Sequence, residues 1–231
     1  MKSVMKHYGP KFNMIRSLLK KENPVVVEIG AHYGEDSLRF LETFKDITLY
    51  CFEPDQRNID IFKKHVNDER VKLFEIALSN TAGTALFYQS YQEHRAGEVP
   101  DKYNWISQKD YINGGLNSSG ASSLKTGYVH TLDKPSEVKT DRFDSWYKEN
   151  NMDKIDFVWL DVQGAEREVI EGMGQEIKNI KYIWVEYGEG FYEGAMNRIE
   201  TVLLMRAKGF QEVNKYSDNT PQGDILFLNI R

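Results

Sequence analysis

Val25-Val26-Val27-Glu28-Ile29-Gly30-Ala31-His32-Tyr33-Gly34-Glu35-Asp36-Ser37 decides how this chain reads. A continuous apolar run, broken by one acid and closed by glycine, predicts a buried parallel strand over 25–29. Asp36 or Ser37 can then cap a helix running to about Phe44, with Leu38, Leu41 and Phe44 at helical spacing. Strand, glycine turn and helix in that order open an α/β unit. Gly30 and Gly34 let the backbone come close to a ligand, and the helix start offers unpaired N–H groups to an anion.

The alternation continues outward from this unit. Strands are expected over 47–52 and 71–76, separated by a helix over 56–66, and a further strand over 84–88 follows the Thr81-Ala82-Gly83 turn. After residue 130 come a helix over 143–148, a strand over 157–160, a helix from about Ala165 to Gly172, a strand over 182–185 and a helix over 196–207. Two closing strands, 210–213 and 225–230, flank a polar, turn-rich stretch and read as an antiparallel hairpin. The fold class is therefore α/β: a doubly wound, mostly parallel seven-stranded sheet with an antiparallel C-terminal hairpin.

Residues 88–130 interrupt the pattern. They hold five glycines, six serines and six Tyr or Trp, but only six of Val, Ile or Leu, too few for a core of their own. The chain thus reads as one domain over 1–231 carrying an insertion, and a long insertion in a compact domain is usually a functional lid, here for the acceptor, or disordered. Tyr88, Tyr91, Tyr103, Trp105 and Tyr111 either stack on an acceptor or pin the loop to the sheet. His94 and His130, in the same stretch, read as surface histidines.

Composition narrows the classes. With Cys51 as its single cysteine, the 231-residue chain can form neither an internal disulfide nor a cysteine-based zinc cluster. No stretch approaches the ~18–20 apolar residues of a membrane span, and the opening MKSVMKHYGPKFNMIRSLLKKENP has no apolar leader core, so the expectation is a soluble cytoplasmic protein without a membrane partner. A net charge of −5 argues against nucleic acid as a partner and leaves a small-molecule substrate open. The pattern carries no information about oligomeric state.

Ligands of open α/β sheets sit beyond the carboxyl ends of the strands. A dinucleotide fingerprint aligned on Gly30 would put Glu28 and Tyr33 where glycines are needed, and a carboxylate repels a pyrophosphate. There is no Gly-Lys-Ser/Thr phosphate loop. S-adenosylmethionine fits better, because it pairs an ammonium, a sulfonium and a ribose with no phosphate. Glu28 could face the ammonium, the helix start near Asp36 and Ser37 the ligand carboxylate, and Glu53, at the end of the second strand, the ribose diol. A carboxylate inside an apolar run is costly unless it is paired.

These residues, with later motifs, resemble the FkbM family of S-adenosylmethionine-dependent methyltransferases. The resemblance is carried by EIGAHYGEDS at 28–37, FEPD at 52–55, ALSNTAG at 77–83, SGASSL at 119–124 and DVQGAE at 161–166. It implies a class I methyltransferase fold. It also implies Glu28, Gly30 and Gly34 as methionine-side contacts, with His32 shaping the same loop and Ser37 meeting the ligand carboxylate. Glu53 becomes the ribose acceptor, and Ala77 to Ser79 lie near the adenine. The family's lysine before Ile-Asp is Trp159 here, and the glutamate of its Asp-Val-Glu-Gly is Gln163.

Methyl transfer to a hydroxyl needs alignment, exclusion of water and a base. Asp161 and Glu186 end two neighbouring strands and are the catalytic candidates. Mg²⁺ held by Asp161, Glu186 and Glu189 is an alternative that the pattern supports less, since only two ligands are placed. The expected activity is O-methylation of a carbohydrate or other small metabolite. The rivals are a nucleotide-sugar-modifying Rossmann oxidoreductase, a non-catalytic cofactor-binding module and an RNA methylase.

Overall fold

The strand that opens the sequence pattern, β1 (Val25–Ile29), lies inside a seven-stranded sheet. The computed structural model describes residues 9–90, 105–106, 121–127, 131, 134–214 and 220–231. Across the sheet the order is β3 (Val71–Phe74), β2 (Thr48–Phe52), β1, β7 (Ile155–Leu160), β8 (Ile180–Gly188), β10 (Gln222–Asn229) and β9 (Phe210–Asn214). The chain runs outward from β1 to β3, then returns to the far side of β1 as β7. Pairs β3/β2, β2/β1, β1/β7 and β7/β8 are parallel, while β10 is antiparallel to both β8 and β9. The mostly parallel sheet and its antiparallel C-terminal strands agree with the expectation from sequence.

Alternation along β1 builds both faces. Val26 joins Phe12 and Ile15 of α1 (Gly9–Leu19), Phe40 of α2 (Glu35–Thr43) and Phe62 of α3 (Gln56–His65). Val27 and Ile29 face the other way, toward α4 (Phe143–Glu149), α5 (Glu166–Gly172) and α6 (Arg198–Ala207). Each fully buried Phe, Val or Ile of these layers contributes about 1.5–3 kcal/mol relative to exposure. The apolar run that predicted β1 is thus apolar because it is covered twice.

Register places the ligand edge. Ile29 pairs with Phe52 and Leu160, and Leu160 with Val185, so Gly30, Glu53, Asp161 and Glu186 emerge in one row. Antiparallel β10 brings Asp224 beside Glu186 in the same row. The row spans the β1/β7 crossover, where strand order reverses.

Three local expectations are corrected. The strand expected at 84–88 is β5 (Gly83–Phe87), but it belongs to a separate three-stranded sheet with β4 (Ala77–Ser79) and β6 (Ser136–Arg142). Strand β6 is absent from the sequence reading because Ser-Glu-Val-Lys-Thr-Asp-Arg offers only Val138 and Thr140 as buried positions. Helix α2 begins at Glu35 with Gly34 as its N-cap. The two residues expected to cap it are engaged elsewhere, Asp36 by Arg39 and Ser37 by Glu28.

The ends of segment 88–130 are tied down beside α3. Tyr88 bridges Ser123 and Ser90 bridges Thr131. Buried Asp55 caps α3 and accepts hydrogen bonds from Arg57, Gln89 and Ser122, so both ends of the segment hang from one carboxylate. Trp105 stands edge-on to His65 at 5.3 Å, pinned to α3. Tyr91, His94, Tyr103, Tyr111 and His130 lie outside the described residues. Among the described residues, no helix is long and apolar enough to cross a membrane.

Candidate active site

Above the row of strand ends lies a cavity of about 340 Å³, within the range of small-ligand sites. Glu28, Gly30, His32, Glu53, Ala77, Asp161 and Glu186 all line it. Gly34, Ser37 and Ser79 are not part of its wall.

Gly30 lets the strands converge. Its φ is +91°, and an added Cβ would sit 1.8 Å from the Asp161 carbonyl oxygen. Its N–H and that of Ala31 both donate to the Phe52 carbonyl at 3.0 Å, locking the turn against β2. Gly34 serves packing instead: a Cβ there would meet Val66 at 2.4 Å and Phe62 at 2.9 Å.

Glu28 is 1% exposed and projects toward α2. Its Oε2 accepts from Ser37 Oγ at 2.5 Å, with Cys51 Sγ at 3.5 Å. Ser37 therefore supports Glu28 from behind. Burial, reinforced by the charge of Asp36, pushes the Glu28 carboxyl well above the usual carboxylate range. Ser79 lies buried on β4, its carbonyl against Gly172 of α5, while its neighbours Ala77 and Leu78 reach the cavity.

Glu53 is oriented by three donors. Its Oε1 accepts from Asp55 N at 2.9 Å and Asn58 Nδ2 at 3.0 Å, and its Oε2 from His32 N at 2.9 Å. A carboxylate offers about four lone-pair sites, so one acceptor site remains. His32 itself adopts φ +50°, stacks on Tyr33 and places Nδ1 3.0 Å from Glu35 Oε1. Burial alone would raise the Glu35 carboxyl, but the charge and hydrogen bond of His32 bring it below its ordinary value.

On the other side of the β1/β7 crossover, Asp161 and Glu186 are joined by a residue that the sequence marked only as a departure. Gln163 Nε2 donates to Asp161 Oδ1 at 2.5 Å and to Glu186 Oε2 at 2.8 Å. Burial raises both carboxyls; the charge of Asp161 holds the proton on Glu186, while hydrogen bonds from Glu186 and Gln163 favour the charged form of Asp161. Glu189, the third carboxylate of the Mg²⁺ alternative, is exposed on the turn after β8. Among the described residues, no three His, Cys, Asp or Glu are grouped to hold a metal ion.

Two further wall residues, Lys11 and Asp224, had no sequence signal. Lys11 of α1 bonds Asp224 at 2.6 Å, with its ammonium 5.0 Å from the Trp184 ring centre and 5.7 Å from that of Trp159. Trp159 is stacked between Phe12 and Trp184. The two stacked indoles thus face the Lys11 ammonium, which α1 brings to the cavity wall.

The acids set the pH response of the ligand-free protein. Burial raises Asp36 to about 6 and Glu166 to about 7, and raises Glu28 and Glu186 well above their ordinary values. A folded state that keeps protons the unfolded chain has released is favoured at low pH, and that contribution is lost as pH rises through the folded-state values. The melting temperature should therefore fall by several degrees between pH 5 and pH 8. A scanning calorimeter showing it level or rising across that window would contradict this account of the cavity.

Comparison with known proteins agrees with this geometry. Residues 28–212 match the sequence profile of the methyltransferase FkbM domain. The chain is 30% identical over 225 residues to 2-O-methyltransferase NoeI of Sinorhizobium fredii (strain NBRC 101917 / NGR234), covering 94% of this chain and 84% of that protein. It is 27% identical over 197 residues to methyltransferase sdnD of Sordaria araneosa, covering 81% and 74% respectively. Among solved structures, the METTL16 MTase domain superposes with a TM-score of 0.51 at 12% identity, covering 96% of this chain and 66% of that one, a likeness of fold alone. The profile spans every strand end from Glu28 to Glu186, and on that extent the chain belongs to the FkbM methyltransferase family.

Proposed function

We propose that the protein is an S-adenosylmethionine-dependent O-methyltransferase acting on a hydroxyl of a carbohydrate or another small metabolite. The observation that carries this reading is the row of Glu53, Gly30, Asp161 and Glu186 along one sheet edge, closed at Gly30 so tightly that no Cβ fits. Its donor set suits a cationic ligand without phosphates: buried acids line the wall, and Glu53 keeps an acceptor site for a ribose hydroxyl. The 2-O-methyltransferase name of the Sinorhizobium relative favours oxygen as the acceptor atom.

When bound, the cofactor supplies a methyl group on a positively charged sulfur. The chain's part is to bind, align and remove a proton. Glu28 and Glu53 hold the two ends of the ligand on either side of Gly30. Asp161 would take the proton from the acceptor hydroxyl, leaving its oxygen free to receive the methyl group. Glu186 and Gln163 fix the Asp161 carboxyl in place. Segment 88–130, whose returning stretch brings Ser122 and Leu124 to the cavity wall, selects the acceptor.

Titration calorimetry tests the reading. Wild-type protein should bind S-adenosylmethionine and S-adenosylhomocysteine, and Glu53→Ala should weaken both about tenfold, the loss expected for one or two hydrogen bonds to a charged group. Absence of heat with millimolar cofactor would refute the function.

A further inference from the structure

Gln163 sits in a loop built to aim it. Its φ is +56°, followed by Gly164 at +98°. A left-handed non-glycine residue costs about 1 kcal/mol or more and persists only where its surroundings over-determine it. Here they do. Glu166 Oε1 accepts from the backbone N–H groups of both Val162 and Gly164 at 3.1 Å, clamping the peptide units on either side of Gln163. Tyr192 lies against Gly164 so closely that a Cβ there would meet its own Cβ at 2.6 Å.

The side chain is matched group for group. An amide nitrogen has two N–H donors, and Gln163 gives one to Asp161 and one to Glu186. Its Oε1 accepts from Tyr192 Oη at 2.9 Å, which fixes which end of the amide faces the carboxylates. Burial and the surrounding carboxylates raise the Tyr192 phenol, so it stays a donor. Tyr192 Oη is also 3.0 Å from the Ala121 carbonyl, and Tyr192 bridges Gly127. The same tyrosine thus ties stretch 121–127 to the amide between the two carboxylates.

We propose that Gln163, oriented by Tyr192, is a positioning residue that holds Asp161 and Glu186 in a single arrangement for the acceptor hydroxyl. This deepens the methyltransferase reading and rests on it for the word acceptor; the arrangement itself is independent of it. The other charged or titratable groups around the pair are Glu166 of α5, Asp224 with its partner Lys11, Asp36 of α2 and His32 of the first loop. The link predicts how the pair ionises. Two N–H donors favour the charged forms, so removing them should make the first proton harder to lose.

Carboxyl ¹³C NMR of Asp- and Glu-labelled protein, titrated against pH, reads this directly, beside calorimetry with S-adenosylhomocysteine. In Gln163→Leu the first ionisation of the Asp161–Glu186 pair should move up by about one pH unit, the size of shift a lost hydrogen bond to a carboxylate produces. Tyr192→Phe, which keeps the ring against Gly164 and Gly127, should move it in the same direction by less. Affinity for S-adenosylhomocysteine should stay within about threefold in both. Should Gln163→Leu fail to fold, Tyr192→Phe decides, and a wild-type titration there would then overturn the proposal. Wild-type titration in a folded Gln163→Leu protein would overturn the proposal, and wild-type titration in Tyr192→Phe would remove the tyrosine from it. Failure of the wild type to bind S-adenosylhomocysteine would refute the methyltransferase reading while leaving the titration to judge Gln163.

Discussion

Replacing Gly30 by alanine should destroy cofactor binding and destabilise the whole sheet. Two costs combine at this position. At φ +91° an alanine is strained by about 1 kcal/mol or more, as at any left-handed glycine. The second cost is specific: the new Cβ would lie 1.8 Å from the Asp161 carbonyl oxygen and 2.9 Å from its carbon, both backbone atoms of the loop after the adjoining strand. No rotamer relieves a clash with backbone. Either β1 and β7 separate at their carboxyl ends, or the turn is rebuilt, and in both cases Glu28, Glu53 and Asp161 lose their common edge. The expected loss is about 4 kcal/mol or more, which for a chain of this size lowers the melting temperature by roughly 8–16 °C. Gly194→Ala is the control, because Gly194 has φ +73° but nothing within 4 Å of an added Cβ. Calorimetric melts of the two variants separate strain from clash. Equal melting temperatures, with S-adenosylhomocysteine binding intact in Gly30→Ala, would show that the close approach of strands is not what shapes the site.

The sheet was legible because its signal is local. Val25 to Ile29 is apolar on both sides for a reason that a single strand can display, and the glycine after it marks a turn. The edge acids were legible for a related reason, since Glu53 and Asp161 follow directly on strands and Glu186 follows the apolar run 182–185 within β8. What failed to show is whatever depends on the direction of a side chain or on distant packing. Ser37 sits two residues into α2 as the pattern requires, yet Glu28 of β1 takes its hydroxyl and leaves it behind the cavity wall. Gly34 reads like Gly30 in sequence, and only the approach of Phe62 and Val66 from α3 shows that it is needed for packing. Lys11 could not be found at all, because its place depends on α1 crossing to a strand more than two hundred residues away. Gln163 was visible only as an exception, and its hydrogen bonds turn the exception into a fitted part.

Asp161→Asn should leave cofactor binding within a few-fold of wild type while lowering kcat by about 10²–10⁴ with any hydroxyl acceptor that turns over, the range for losing a positioned base. The asparagine is nearly the same size and can still meet Gln163, so the expected loss is one of proton acceptance rather than of structure. The pH profile distinguishes this from a general disturbance. Burial raises the Asp161 carboxyl above its ordinary value, so wild-type kcat should climb with pH through that ionisation and level off once Asp161 is charged. In Asp161→Asn that limb should disappear, leaving a low and nearly pH-independent rate over the same window. Glu186→Leu should keep the limb but shift it to higher pH, because the hydrogen bond that favours charged Asp161 is gone. A full wild-type rate in Asp161→Asn would move the base elsewhere. An unshifted limb in Glu186→Leu would mean that Glu186 does not help Asp161 to ionise. Both results can be read from initial rates alone, and each bears on a different member of the pair.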